Sequence, residues 1–142
     1  MLEREGEGWR LAWDSQRSPF PLLIGGQGWA LELTAAEGQV LQRALELVSR
    51  QHQELADTLM EEESICLEFH GSVPASDAAN EGTLWVALDG DRHSWMLRFV
   101  LQPPSGQRAV EGSWTVGAAE AFTRACTGLD WSAVAGPEGA SA

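Results

Sequence analysis

Along residues 9–13, Trp9, Leu11 and Trp13 alternate with Arg10 and Ala12, the period of a strand with one apolar face. Pro19 and Pro21 interrupt the chain before Leu22-Leu23-Ile24, which runs into Gly25-Gly26. Trp29, Leu31 and Leu33 then alternate with Ala30 and Glu32, so the two segments read as strands joined through a glycine turn, most simply a hairpin. Thr34-Ala35-Ala36-Glu37 fits a capping box, in which the Thr hydroxyl accepts from the backbone N–H three residues on and the Glu reaches back. A helix is expected to start there. Leu41, Leu45, Val48, His52, Leu55 and Leu59 recur at spacings of four and three. They form one apolar stripe along a helix of about 25 residues, roughly 37 Å long at 1.5 Å per residue.

After Glu61-Glu62-Glu63 the period returns to two: Ile65, Leu67 and Phe69 share one face of a strand, with Cys66, Glu68 and His70 on the other. Residues 71–82 are small, polar and without pattern, and read as a mobile surface loop. Leu84, Val86 and Leu88 face Trp95, Leu97, Phe99 and Leu101 across Asp89-Gly90-Asp91-Arg92. This is a hairpin in which Asp-Gly is expected to supply the positive φ of the turn. A further turn spans 102–108, a strand 110–114, a short helix 118–129 and a frayed tail 136–142. The expected fold is α+β, one domain over residues 1–135, with a curved antiparallel sheet in the order βββ-α-ββββ-α. A short echo supports two similar halves, since a Trp-bearing strand leads into Ala35-Ala36-Glu37 and Trp114 leads into Ala118-Ala119-Glu120.

Composition changes this picture in two ways. The 142 residues carry 21 acidic against 9 basic side chains, a formal charge of −12, and that field repels a polyanion unless a local patch overcomes it. Nucleic acid is disfavoured as a partner on this ground. Seven Trp and no Tyr imply a large core, an interface, or both, because each indole buries about 200 Å² and brings an N–H that seeks an acceptor. Trp9, Trp13, Trp29, Trp95 and Trp114 follow strand alternation and read as core, which leaves Trp85 and Trp131 as the two whose exposure bears on function. The N-terminus reads as neither a signal nor a transit peptide, and no apolar run approaches the ~18 residues of a membrane span. The expected location is cytoplasmic, with Cys66 and Cys126 as small buried thiols rather than a disulfide.

Catalytic chemistry finds little footing. His52, His70 and His93 lack metal-ligand spacing, so no metal site is expected, and no cofactor either. Gly25-Gly26-Gln27-Gly28 precedes a strand instead of a helix and has no Lys for phosphate. No nucleophile motif is present, and Glu61-Glu62-Glu63 reads as a solvated face. A non-enzymatic role is therefore expected, with no catalytic residues.

The second face of the sheet is more informative. Period two places Trp85, Met96, Arg98, Val100, Glu68, His70, Arg10 and Glu32 on the side away from the helices. Two readings fit this mixture: an interface or groove, where Trp, Met and Arg are enriched, or a solvated face laced by cross-strand Arg–Glu pairs. The candidate binding patch is Arg10, His70, Trp85, Met96 and Arg98.

Several short motifs in order, from about residue 5 to residue 129, carry a family resemblance. They are Glu7-Gly8-Trp9-Arg10, Trp13-Asp14, Ile24-Gly25-Gly26, Trp29-Ala30, Glu32-Leu33-Thr34, Leu59-Met60, Glu62-Glu63, Leu97-Arg98-Phe99, Glu111-Gly112 and Trp114. Together they resemble the small cyanobacterial proteins catalogued as domain of unknown function 1818. The resemblance implies a fold similar to the Whirly-type single-stranded-DNA-binding transcriptional regulators, with a helix after each half of the sheet. It brings no established activity and no catalytic residues. The segment 71–82 and the tail after Trp131 extend beyond the family pattern. Two functions follow as expectations: a non-catalytic interaction module that self-associates as a dimer and binds a protein partner, or a single-strand nucleic-acid binder stacking bases on Trp, with Arg10, Arg92 and Arg98 at the phosphates.

Overall fold

The computed structural model describes residues 1–131, so the expected tail 136–142 lies outside the described residues. Eight strands and two helices run in the order β1 (Leu2–Gly6), β2 (Trp9–Trp13), β3 (Leu22–Gly26), β4 (Trp29–Leu33), α1 (Ala35–Ala56), β5 (Ile65–Val73), β6 (Gly82–Gly90), β7 (Trp95–Gln102), β8 (Val110–Trp114) and α2 (Ala118–Thr127). The α+β class is as expected. The single curved sheet is not: β1–β4 form one antiparallel four-stranded sheet and β5–β8 a second. Side-chain alternation tells which face of a strand is apolar but not which strands share a ladder, so two sheets of identical patterning read as one.

The first half also holds four strands rather than three. β1 carries Glu3, Arg4 and Glu5 with a single apolar residue, Leu2, so it has no period-two signal and pairs with β2 through its backbone, Leu2 opposite Trp13 and Gly6 opposite Trp9. The hairpins β1–β2 and β3–β4 are near copies. Each turns through two residues ending in a glycine at positive φ, Gly8 at 82° and Gly28 at 80°. Each also sets a Trp directly opposite a glycine, Trp9 against Gly6 and Trp29 against Gly26. A Cβ at either glycine would fall inside the facing indole. The Ser18–Pro19 bond between these hairpins is cis.

Thr34 caps α1 as expected. Its hydroxyl accepts from Glu37 N at 3.1 Å and the Glu37 carboxylate accepts from Thr34 N at 2.8 Å. The helix buries Val40, Leu41, Ala44, Leu45, Val48 and His52. His52, on the apolar stripe, donates from Nε2 to the Asp91 carbonyl at 2.7 Å and so ties α1 to the β6–β7 turn. That turn is displaced from its expected place. Asp89 and Gly90 continue β6, and Gly90 is there because a Cβ would strike Ser94 and Trp95. The chain reverses over 91–94, where the Asp91 carboxylate accepts from His93 N at 2.8 Å and Ser94 N at 3.0 Å. Those two donors hold the Asp91 carboxyl below its ordinary range. The expected loop 71–82 is shorter, because β5 continues to the fully buried Val73 and β6 begins at Gly82. A single 3-10 turn, Ala78–Asn80, capped by Asp77, bridges them.

The helices fill the space between the sheets. α1 lies over β5 and β6, while α2 packs on β7 and β8 of the second sheet, on β1 and β2 of the first, and on α1. Gln42 of α1 closes the end of α2 by donating to the Cys126 and Leu129 carbonyls at 3.0 and 2.9 Å while accepting from the Trp131 indole at 2.8 Å. Trp131 is thereby half-buried against Trp13, ring centroids 4.7 Å apart and nearly perpendicular. The sheets meet directly where β3 and β4 approach β8. The Trp114 indole donates to the Gly25 carbonyl at 2.9 Å and Trp29 donates back to the Ser113 carbonyl at 3.1 Å. Gly112 makes room for the Trp29 ring, since a Cβ there would lie 2.8 Å from both that ring and Phe99.

Two stability measurements follow. Replacing Thr34 with Ala removes one half of the capping box and should lower urea-unfolding stability by about 1 kcal/mol with an unchanged slope. Gly112→Ala should cost about 1–3 kcal/mol in the same assay, since the new Cβ would press on the buried Phe99 and on the Trp29 ring that bonds to Ser113.

Candidate interaction surface

The outward faces of β5–β8 form three rows, fixed by register. His70, Trp85, Val100 and Glu111 lie side by side in one, Glu68, Ala87, Arg98 and Ser113 in the next, and Cys66, Asp89 and Met96 in the third. Four of the five expected patch residues, His70, Trp85, Met96 and Arg98, therefore share one face of one sheet. Arg10 does not join them. It stands on β2 in the other sheet, directly across from Glu5 of β1, and Glu32 sits on β4 of that sheet in an ion pair with Arg17. The period of two was right for Arg10 within its strand but carried no information on which sheet the strand enters.

Arg98 organises the face. Its Nε lies 3.5 Å from the Asp89 carboxylate and its guanidinium carbon 5.2 Å from the centre of the Trp85 ring. A guanidinium set between Asp89 and Trp85 lies over Ala87, which stands between them on β6 opposite Arg98. This accounts for Ala87 being fully buried although it points away from the core. The result is a fixed plate of indole and guanidinium, flanked by Met96 at 42% exposure and by the exposed His70. A shallow groove of about 280 Å³ runs beside it, lined by His70, Gly71, Ser72, Thr83, Leu84 and Trp85.

The thiols differ. Cys126 is buried in the core, which pushes its pKa up to about 12. Cys66 is exposed rather than buried as expected, and the Asp89 carboxylate that hydrogen-bonds to it holds it above the usual thiol range. Neither environment favours a thiolate nucleophile. Of the remaining basic groups named for phosphate contact, Arg92 lies 3.9 Å from Glu61, which also receives His93. Among the described residues no three His, Cys, Asp or Glu side chains gather closely enough to hold a metal ion, and no helix is long and apolar enough to cross a membrane.

The Arg98 bridge could not be read from the sequence, because Asp89 reads there as part of a turn. Its signal is the Asp89 opposite Met96 that register alone reveals. The tryptophans divide largely as anticipated: Trp13, Trp95 and Trp114 are buried, Trp9 and Trp29 pack against the core, and Trp85 lies outside.

In the comparisons with known proteins, no curated protein matches. A solved structure of a protein of unknown function from Prochlorococcus sp. NATL2A, described as from the DUF155 family, is 29% identical. The match spans 89% of this chain and 96% of that one, with a TM-score of 0.74. The family model described as Domain of unknown function (DUF1818) matches residues 4–129, which contain all eight strands but the first two residues of β1, together with both helices. The chain belongs to the domain of unknown function 1818 family.

Proposed function

We propose that this protein is a non-catalytic interaction module of the cytoplasm that self-associates and presents the outer face of β5–β8 to a protein partner. The observation that carries this reading is the Trp85–Arg98 plate beside the exposed Met96. Trp, Arg and Met are the residue types enriched at interface cores. A guanidinium already held by Asp89 loses little further freedom on binding, so the plate is pre-organised for contact with a flat or aromatic-bearing surface.

The Whirly-like architecture implied by the family resemblance supports a second reading, single-strand nucleic-acid binding. What supports it is the helix that follows each four-stranded half, although the halves form two sheets rather than one. The charge geometry weighs against it. Arg98 and Arg92 face carboxylates, Arg10 is in the other sheet, and the chain carries a net charge of −12. Base stacking on Trp85 would also displace the guanidinium that already covers its ring.

Affinity capture from a cyanobacterial extract separates the two. The wild-type chain should retain a protein partner after nuclease treatment, and Trp85→Ala and Arg98→Ala should each lower that retention about tenfold, the loss of ~1.4 kcal/mol, with circular dichroism unchanged. Retention equal in all three proteins would contradict the assignment of this face. Labelled oligonucleotides should show no binding even at ~20 mM salt, where phosphate contacts are strongest, and clear binding there would favour the second reading.

A further inference from the structure

The second sheet ends on β5, a nine-residue strand whose ladder partner is β6 alone. Ile65, Leu67 and Phe69 point from it toward the core yet are only half-buried, whereas Leu84, Val86, Leu88, Leu97 and Phe99 on the neighbouring strands are at most 3% exposed. The apolar layer is thus open along this edge. The helix above continues the opening. Gln42, Ser49 and Gln53 form the flank of α1 that meets α2. At 3.6 residues per turn, Leu47 falls on the opposite flank and is 37% exposed, while Leu55, at the end of the core-facing stripe, is 41% exposed.

Edge strands are normally blunted by Pro, Lys, a bulge or short length. β5 has no Pro, carries a single carboxylate, Glu68, pairs with β6 in unbroken register, and is as long as any strand described here. We propose that a second copy of this chain adds to β5 in antiparallel register about a two-fold axis at Phe69, joining the two four-stranded sheets into one. This rests on the reading of the protein as a self-associating module and assigns the surface involved.

The register follows from the residues. A two-fold axis normal to the sheet keeps the core faces on one side, so inward residues must meet inward residues. An axis at Glu68 would set two carboxylates directly opposite, and one at His70 two imidazoles. The axis at Phe69 centres the pairing on Cys66–Ser72, all of which keep accessible surface, with the fully buried Val73 closing the seam at each end. It sets Glu68 opposite His70 of the second copy in both directions and Leu67 opposite Gly71, where no side chain competes for the space. The apolar flanks of the two α1 helices, each carrying Leu47, then approach over the seam.

The same register sets Cys66 opposite Ser72 of the second copy, and both are exposed. Within one chain these positions are about 20 Å apart along an extended strand, far beyond the ~7 Å limit for a disulfide. Buried Cys126 does not interfere. The wild-type protein should sediment as a dimer. Ser72→Cys should give a covalent dimer on mild oxidation, while His70→Cys, which meets Cys66 only for an axis at Glu68, should not. Glu68→Arg should shift the population to monomer with unchanged circular dichroism, and adding His70→Glu should restore the dimer. A dimer cross-linked by His70→Cys but not Ser72→Cys overturns the register. One cross-linked by neither and indifferent to Glu68→Arg overturns edge pairing while leaving self-association standing, and a wild-type monomer overturns both.

Discussion

Two indole N–H groups pointing in opposite directions hold this molecule together. Trp114, from the last strand of the second sheet, donates to the Gly25 carbonyl in the first, and Trp29, from the first sheet, donates to the Ser113 carbonyl in the second. The Trp29 ring needs backbone bare of side chains to come so close, and Gly26 and Gly112 provide it. The two rings lie 5.2 Å apart, with Phe99 against both and Phe122 of α2 stacked on Trp114 at 4.1 Å. The Trp114 bond is buried, where an unpaired donor or acceptor is costly, and the Trp29 bond is exposed, so the first specifies how the sheets approach and the second adds to its register.

The other elements follow from that approach. With β8 fixed against β3, α2 can bridge both sheets, and Trp9 meets Phe122 edge-on while Trp13 meets Trp131. Trp95 packs on His52, whose hydrogen bond to Asp91 anchors the β6–β7 turn. Six of the seven Trp are thereby engaged in packing, and Trp85 alone faces outward from the second sheet. The helices pack on the inner side of the second sheet, and α2 also packs on β1 and β2, which leaves the outer faces of both sheets exposed. The fold thus packs six indoles against other rings or the core and turns Trp85, half-buried, outward beneath a cation rather than a second ring.

Strands with clean alternation, β2, β4, β7 and the core of β5 and β6, were legible in the residues, as was the capped start of α1. β1 was not, because Glu3-Arg4-Glu5 has no apolar rhythm and the strand depends on backbone pairing to β2. Gly90 misled for a different reason: a glycine can mark close approach as well as positive φ, and here the collision with Ser94 and Trp95 decides. Of the patch, His70, Trp85, Met96 and Arg98 were placed together by period alone, while Arg10 was lost to the other sheet. The motifs that carry the family resemblance include Gly25-Gly26, Trp29, Gly112 and Trp114, the residues of the sheet-to-sheet contact. What the sequence displays most clearly is therefore packing, and the outer face, where Trp85, Met96 and His70 lie, is largely outside those motifs.

Trp114→Phe keeps the ring stack but removes the N–H, leaving the buried Gly25 carbonyl without its donor. Urea unfolding of this variant should show one cooperative transition at a stability lower by about 1–3 kcal/mol, the cost of an unsatisfied buried acceptor. A loss below ~0.5 kcal/mol, within the range of an ordinary surface substitution, would contradict the claim that the reciprocal indole bonds fix the sheets to each other.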